Sequence, residues 1–208
     1  MIVIDSYDQC SEEWFKARSF GPTASQFDRI ITTTGKPSTQ REKYLYQLAG
    51  ERILGRKEET YQNAAMLRGI DLEPDARAAY EFINGFPVEQ VALVYKDDKK
   101  RFSCSPDGLV NEYGFYGGLE IKCPSIPIHM EYLDKDKLPS TYFQQVQGSL
   151  YITELEWWDF FSYYPGIKPF LIRVEPDLKW HKMLENELEK FCNELDKLTE
   201  KLKNGIDQ

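Results

Sequence analysis

Apolar residues recur every three or four positions through most of the first third of the chain, the spacing of helices that bury one face. Residues 11–18 (SEEWFKAR) open on a serine cap followed by two acids, and residues 23–32 (TASQFDRIIT) open on a threonine. Residues 38–55 carry a one-sided apolar pattern that Gly55 ends. A further helix is predicted from about Met66 to Ile83, because Asn84-Gly85-Phe86-Pro87 is a strong stop. After it the period changes to two, and residues 88–96 (VEQVALVYK) are predicted as one strand.

The centre of the chain predicts a β-hairpin. Residues 101–110 (RFSCSPDGLV) and 118–124 (GLEIKCP) form its arms, the Asn/Gly-containing stretch 111–117 its turn, and Pro124 closes the second arm. Residues 125–140 read as a loop with a short helix, 141–153 as a helix, and 157–164 and 170–174 as strands. The C-terminal segment is one long helix in which Leu184, Leu188, Phe191, Leu195, Leu198 and Leu202 alternate by fours and threes. That stripe faces either the protein's own core or a neighbouring subunit, and core cover is the commoner role. Neither an internal repeat nor a low-complexity linker interrupts residues 1–208, so a single domain is expected.

Charge narrows the function. The chain has 208 residues, 26 Lys plus Arg against 34 Asp plus Glu, and a formal charge of −8, which excludes a uniformly basic DNA-coating protein. Residues 14–57 nevertheless hold nine basic side chains against three acids, a local +6. Such a segment serves as a phosphate-binding face or as ordinary solvated helix surface. Cys10, Cys104, Cys123 and Cys192 lie far apart with no CxxC pair, so reduced thiols are expected rather than a zinc knuckle, an iron–sulfur centre or a disulfide framework. Without a long apolar run or a basic, apolar leader, a cytoplasmic protein with no membrane association is expected.

The candidate chemistry lies on the hairpin. In Leu119-Glu120-Ile121-Lys122 the two charged side chains share one face of a strand and the two apolar ones the other. The turn brings Asp107 of Ser-Pro-Asp-Gly alongside Glu120. Two adjacent carboxylates repel, and a hard divalent cation such as Mg²⁺ resolves the repulsion. A bound cation lowers the pKa of water from about 15.7 towards about 7 and neutralises charge on a phosphate oxygen, so phosphodiester hydrolysis is the natural reaction. Lys122 beside it would orient or deprotonate water, or stabilise the phosphorane. Taken alone, Asp107-Gly108 is also ordinary turn chemistry and Glu120/Lys122 an exposed pair.

The full text resembles the PD-(D/E)xK nucleases, and within them the phage lambda exonuclease/YqaJ-type viral recombinase group. The match runs in order through residues 14–18 (WFKAR), 23–25 (TAS), 69–77 (GIDLEPDAR), 104–109 (CSPDGL), 118–124 (GLEIKCP) and 142–153 (YFQQVQGSLYIT), about three quarters of the chain. The resemblance implies an α/β, restriction-endonuclease-like core: a central mixed sheet flanked by helices, with the long C-terminal helix packed across it. It implies that Asp107, Glu120, Glu73 and the Ile121 carbonyl hold Mg²⁺ or Mn²⁺, two ions per site. Lys122 would be the catalytic lysine and Gln145 the motif glutamine beside it. Arg18 and Ser25 would bind a DNA 5′-phosphate, with Thr23 and Gln147 as further DNA contacts. Gln145 and Gln147 cannot both face the metal from one helix.

The implied activity is 5′→3′ digestion of one strand of linear double-stranded DNA to 5′-mononucleotides, leaving a 3′ tail. The implied setting is a homotrimeric ring, a partner single-strand annealing protein, and phage or prophage recombination in a bacterial host. A nuclease of other polarity or endonucleolytic action, and a catalytically silent DNA-end-binding module, are the competing readings. The segment 126–139 has no counterpart in the resemblance, and His129 within it is read as structural or solvent-facing.

Overall fold

The computed structural model describes residues 1–56 and 64–206. Lys57, the last cation of the basic segment, lies outside the described residues.

The helices follow their caps. In α1 (Glu12–Ser19) the Ser11 hydroxyl accepts from Trp14 N at 3.2 Å. In α2 (Arg41–Leu54) Gly55 takes the left-handed φ of +66° that stops the helix. Helix α3 (Ala64–Asn84) runs past Pro74, which leaves it one hydrogen bond short beside Glu73. Residues 24–29 form a 3-10 helix rather than the expected α-helix. The segment expected as a loop with a short helix contains the three-turn helix α4 (Ile126–Lys135), followed by α5 (Phe143–Thr153) and α6 (Leu178–Ile206).

Two predicted strands are each divided between two sheets. Residues 88–96 break at Gln90: β2 (Val88–Glu89) joins the large sheet and β3 (Leu93–Tyr95) a small one. Residues 101–110 break at Pro106, giving β4 (Ser103–Cys104) and β5 (Gly108–Glu112), because proline lacks the N–H a continuous ladder needs. The small sheet is β1-β3-β4, with β1 (Ile2–Ile4) unannounced by any pattern. The large sheet is β2-β5-β6-β7-β8, where β6 is Phe115–Lys122, β7 Trp157–Ser162 and β8 Phe170–Val174. The predicted hairpin is β5–β6, and its two-residue turn places Tyr113 (φ +54°) and Gly114 (φ +95°) both in the left-handed region. Only β6 and β7 are parallel, so the sheet is mixed.

Both faces of the large sheet are covered. On one, Leu119, Ile121, Trp157 and Phe161 pack with Ala76 and Tyr80 of α3. On the other, Trp158 and Phe160 pack with Val146 and Leu150 of α5 and Tyr132 of α4. The apolar stripe of α6 turns to its own chain: Leu184, Leu188, Phe191 and Leu195 are buried with Tyr44 and Leu48 of α2. Two of the basic segment's arginines are engaged there, Arg41 with Glu194 at 2.7 Å and Arg52 with Asp196 at 2.6 Å. Gly148 lets the 3-10 helix press on α5, since a Cβ would lie 2.4 Å from the Phe27 ring. Among the described residues no helix is long and apolar enough to cross a membrane, and none of the four cysteines is disulfide-bonded.

Candidate active site

The C-terminal end of β6 gathers charge that the fold does not otherwise need. β6 is the central strand of the sheet, so a side chain at Glu120 is buried on either face, and it is only 2% exposed. Lys122, two residues on and on the same face, pairs with Glu120 Oε1. Gln145 of α5 donates Nε2 to the same oxygen at 2.5 Å.

Asp107 sits at the break between β4 and β5. Its N–H donates to Leu119 O at 3.0 Å, and its Oδ2 accepts from Ile121 N at 2.6 Å. The carboxylate is thereby fixed across β6 between Glu120 and Lys122 in sequence. From α3, Glu73 accepts from Arg77 Nη2 at 2.5 Å. Arg77 Nε also donates to the main-chain carbonyl of Asp107 at 3.4 Å, so one guanidinium links the Glu73 carboxylate to the Asp107 backbone.

The electrostatics of these groups point the same way. Burial raises the pKa of Asp107, with Lys122, the Ile121 N–H and Arg77 only partly opposing it. Burial, helped by repulsion from Asp107, pushes Glu120 up to about 7 despite Lys122 and Gln145. Glu73 is raised by burial and by Asp107. For Lys122, burial disfavours the ammonium, but Glu120 and Asp107 outweigh it and raise its pKa. Three carboxylates are therefore held in an environment that resists their charge, with one ammonium among them. That donor set, all oxygen and net negative, fits a hard divalent cation. In the conformation described, Lys122 rather than a third carboxylate closes on Glu120, and no three His, Cys, Asp or Glu side chains among the described residues form a ready cage.

Another buried acid gives a contrast. Asp159 of β7, on the opposite face, accepts from Tyr80 Oη at 2.7 Å and from Arg173 at 2.9 and 3.0 Å. With three donors it ties α3, β7 and β8 together, a structural pairing in which Arg173 also holds Glu112 at 2.7 Å.

A second polar pocket adjoins the first. Arg18 of α1 lies with its guanidinium over the Trp14 ring at 4.2 Å. Its Nη1 donates to Ser105 Oγ at 2.7 Å, and its Nη2 to Ser25 Oγ at 3.1 Å and Thr23 Oγ1 at 3.3 Å. It makes no ion pair among the described residues, and burial lowers its pKa. A desolvated guanidinium facing three hydroxyls and no carboxylate is a site that favours an anion. Ser105 stands two residues before Asp107, so the pockets are within about 7 Å of each other along the chain.

Of the residues selected from sequence, Asp107, Glu120, Ile121, Lys122, Gln145 and Glu73 meet at one site, while Arg18, Ser25 and Thr23 meet at the next. Gln147 departs from its expected role as a DNA contact. It is buried, with Nε2 on Glu175 O at 2.9 Å and Oε1 accepting from Asp177 N at 2.8 Å and close to His181 Nε2 at 2.9 Å. Its amide anchors the start of α6, and the side chain is only 3% exposed. His129 is fully buried, bridging Ser162 Oγ at 2.8 Å and Lys168 O at 3.0 Å. It is structural and fixes α4 to the sheet.

Sequence reasoning missed three residues. Ser105 was hidden in the Ser-Pro-Asp-Gly motif behind Asp107. Arg77 stands four after Glu73, a helical spacing that announces a pair. Tyr142, whose ring lies 5.4 Å from Lys122 Nζ, carried no signal.

The geometry can be set beside known proteins. The family model described as the YqaJ-like viral recombinase domain matches residues 13–156. An uncharacterized protein of Acanthamoeba polyphaga mimivirus is 30% identical over 171 residues, covering 76% of this chain, which spans only 29% of that protein's length. The crystal structure of an alkaline exonuclease from Laribacter hongkongensis superposes with a TM-score of 0.83 at 35% identity, over 95% of this chain and 98% of that one. The same figures hold for that protein in complex with dAMP. A phage-related exonuclease from Haemophilus somnus, 13% identical with a TM-score of 0.68 over 88% of this chain and 96% of that one, shares the fold.

Proposed function

The chain belongs to the family of YqaJ-like viral recombinase domains, and on that premise we propose that it is a metal-dependent 5′→3′ exonuclease. It digests one strand of linear double-stranded DNA to 5′-mononucleotides and leaves a 3′ single-stranded tail for recombination by strand annealing. One observation carries this reading. Asp107, buried Glu120, Lys122 and Gln145 converge at one end of β6, next to the Arg18 guanidinium, which lies over the Trp14 ring and donates to three hydroxyls.

Asp107 and Glu120 would hold Mg²⁺ or Mn²⁺, with Glu73 and the Ile121 carbonyl completing the ligands for two ions. Such ions supply Lewis acidity and a bound water of lowered pKa. The chain's own groups do the rest. Lys122, kept protonated by Glu120 and Asp107, places a point charge where negative charge develops on the phosphate. Gln145 restrains Glu120. Arg18, Ser25, Thr23 and Ser105 grip a terminal 5′-phosphate, whose dianion suits a forked donor, and so define the strand and the end that enter.

Relatives support the reading at two points. The Laribacter protein is an alkaline exonuclease, and its complex with dAMP holds a deoxynucleoside monophosphate, the product class proposed here. Residues 1–208 would act as one domain, and family resemblance supports a ring-shaped homotrimer around duplex DNA. It also supports an annealing protein that takes the emerging strand in the cytoplasm of a bacterial host. A ring would keep an acidic protein on DNA without a uniformly basic surface.

The test is time-resolved digestion of linear duplex labelled at the 5′ or 3′ end, with Mg²⁺ or EDTA, beside a closed circular control. Early release of the 5′ label as mononucleotide, abolished by EDTA and absent from the circle, is the expected result. Early release of the 3′ label or nicking of the circle overturns it.

A further inference from the structure

A groove of about 850 Å³ lies between Met1, Val3 and Asp5 at β1, the edge of the small sheet, and Val88 and Glu89 of β2, an edge of the large one. Leu109, Tyr116 and Leu155 continue its apolar floor. Its Tyr116 end is far from the candidate active site, about 20 Å from Lys122 along β6 at ~3.3 Å per residue, while its Leu109 end lies two residues from Asp107.

The rim is mainly acidic, with the Met1 ammonium as a positive group that acts on Glu154. Asp5, Glu89, Glu154 and Glu156 line the groove and no lysine or arginine does. Glu154 is held by Lys96 at 2.6 Å. The other three are exposed and make no ion pair among the described residues. The same end of the hairpin exposes Tyr113 (88%) and Phe115 (60%), and α3 adds Phe82 (91%). None of these three lines the groove, and α3 covers the opposite face of the sheet, so the groove's own exposed apolar side chains are Met1, Val3 and Tyr116.

These features select the occupant. Unpaired carboxylates repel nucleic-acid phosphates and attract cations. The floor favours large apolar side chains, each worth roughly 1.5–3 kcal/mol when fully buried. We propose that this groove docks a segment of another protein in which large apolar side chains alternate with lysine or arginine. Charge complementarity sets the orientation and the apolar floor holds it.

The experiment uses the full chain and three short fluorescein-labelled peptides, alternating Leu-Lys, Leu-Glu and Ser-Lys, with binding followed by fluorescence anisotropy. The Leu-Lys peptide is expected to bind at least about tenfold more tightly than either control. Combined Asp5→Lys, Glu89→Lys and Glu156→Lys should weaken it about tenfold or more, and Tyr116→Ser should weaken it through the floor. DNA digestion by Glu156→Lys alone and by Tyr116→Ser should be unchanged, since both positions lie at the end of β6 opposite Lys122. Equal binding of Leu-Lys to the charge-reversed protein, or of Ser-Lys to the unmodified one, overturns the proposal. So does light scattering that finds the chain self-associating through this face, with the triple substitution dissolving the contact, because a second copy would then be the occupant.

Discussion

Gln145 Nε2 donates to Glu120 Oε1 at 2.5 Å, while Gln147, one alternate position along α5, is sealed against Glu175, Asp177 and His181. Two glutamines in one short motif thus serve different ends, and substitution should separate them. Gln145→Ala is expected to lower kcat about tenfold or more with little change in stability, because its partner keeps Lys122. Gln147→Ala should leave kcat of the folded protein intact. It should destabilise the chain by about 1–3 kcal/mol, since it strands buried groups. Thermal melts alongside single-turnover digestion measure both.

Asp107 and Glu120 are expected to act against stability and for activity. Asp107→Asn keeps an oxygen for the Ile121 N–H and removes a charge that burial resists. In EDTA its Tm should therefore rise by about 2–4 °C, the shift made by about 1 kcal/mol in a domain of this size. Digestion should fall by about a thousandfold or more. An Asp107→Asn protein that digests duplex normally with Mg²⁺ removes the catalytic assignment.

The pH dependence follows from Glu120. Its pKa is raised in the folded state from the ordinary glutamic range to about 7. Between those values the folded protein keeps a proton the unfolded chain has lost, so stability falls as pH rises from about 4.5 to 7. A divalent cation competes with that proton. Calorimetric titration with Mn²⁺ should find affinity increasing as pH rises through about 7, with proton release on the acid side. In EDTA, Tm should decline across the same interval, and saturating Mn²⁺ should flatten the decline.

The Arg18 pocket predicts end selectivity. Arg18→Ala should slow digestion from 5′-phosphorylated ends by about a hundredfold and from 5′-hydroxyl ends only a few-fold. Ser105→Ala, which loses the 2.7 Å bond from Arg18, should cost about tenfold on phosphorylated ends, the effect of one charge-assisted hydrogen bond. Equal loss on both kinds of end rules out a phosphate pocket.

Much of this molecule can be read from local pattern. Caps at Ser11 and Gly55, the stop at Asn84-Gly85, the hairpin around Gly114 and the α6 stripe depend on neighbours within a turn or a strand. The motifs around Asp107, Glu120, Gln145 and Arg18 are likewise contiguous text. What local pattern left undecided involves partners distant in sequence. Whether residues 88–96 form one strand or two depends on which sheet each half meets, and Pro106 divides its arm for the same reason. The burial of Glu120 is imposed by β7 and α5, and the Arg18–Ser105 contact spans 87 positions. The sequence by itself determined the kinds of elements and the chemical groups available. Only the tertiary structure decided which groups lose water and which meet, because desolvation and long-range pairing belong to the packed chain and not to any segment of it.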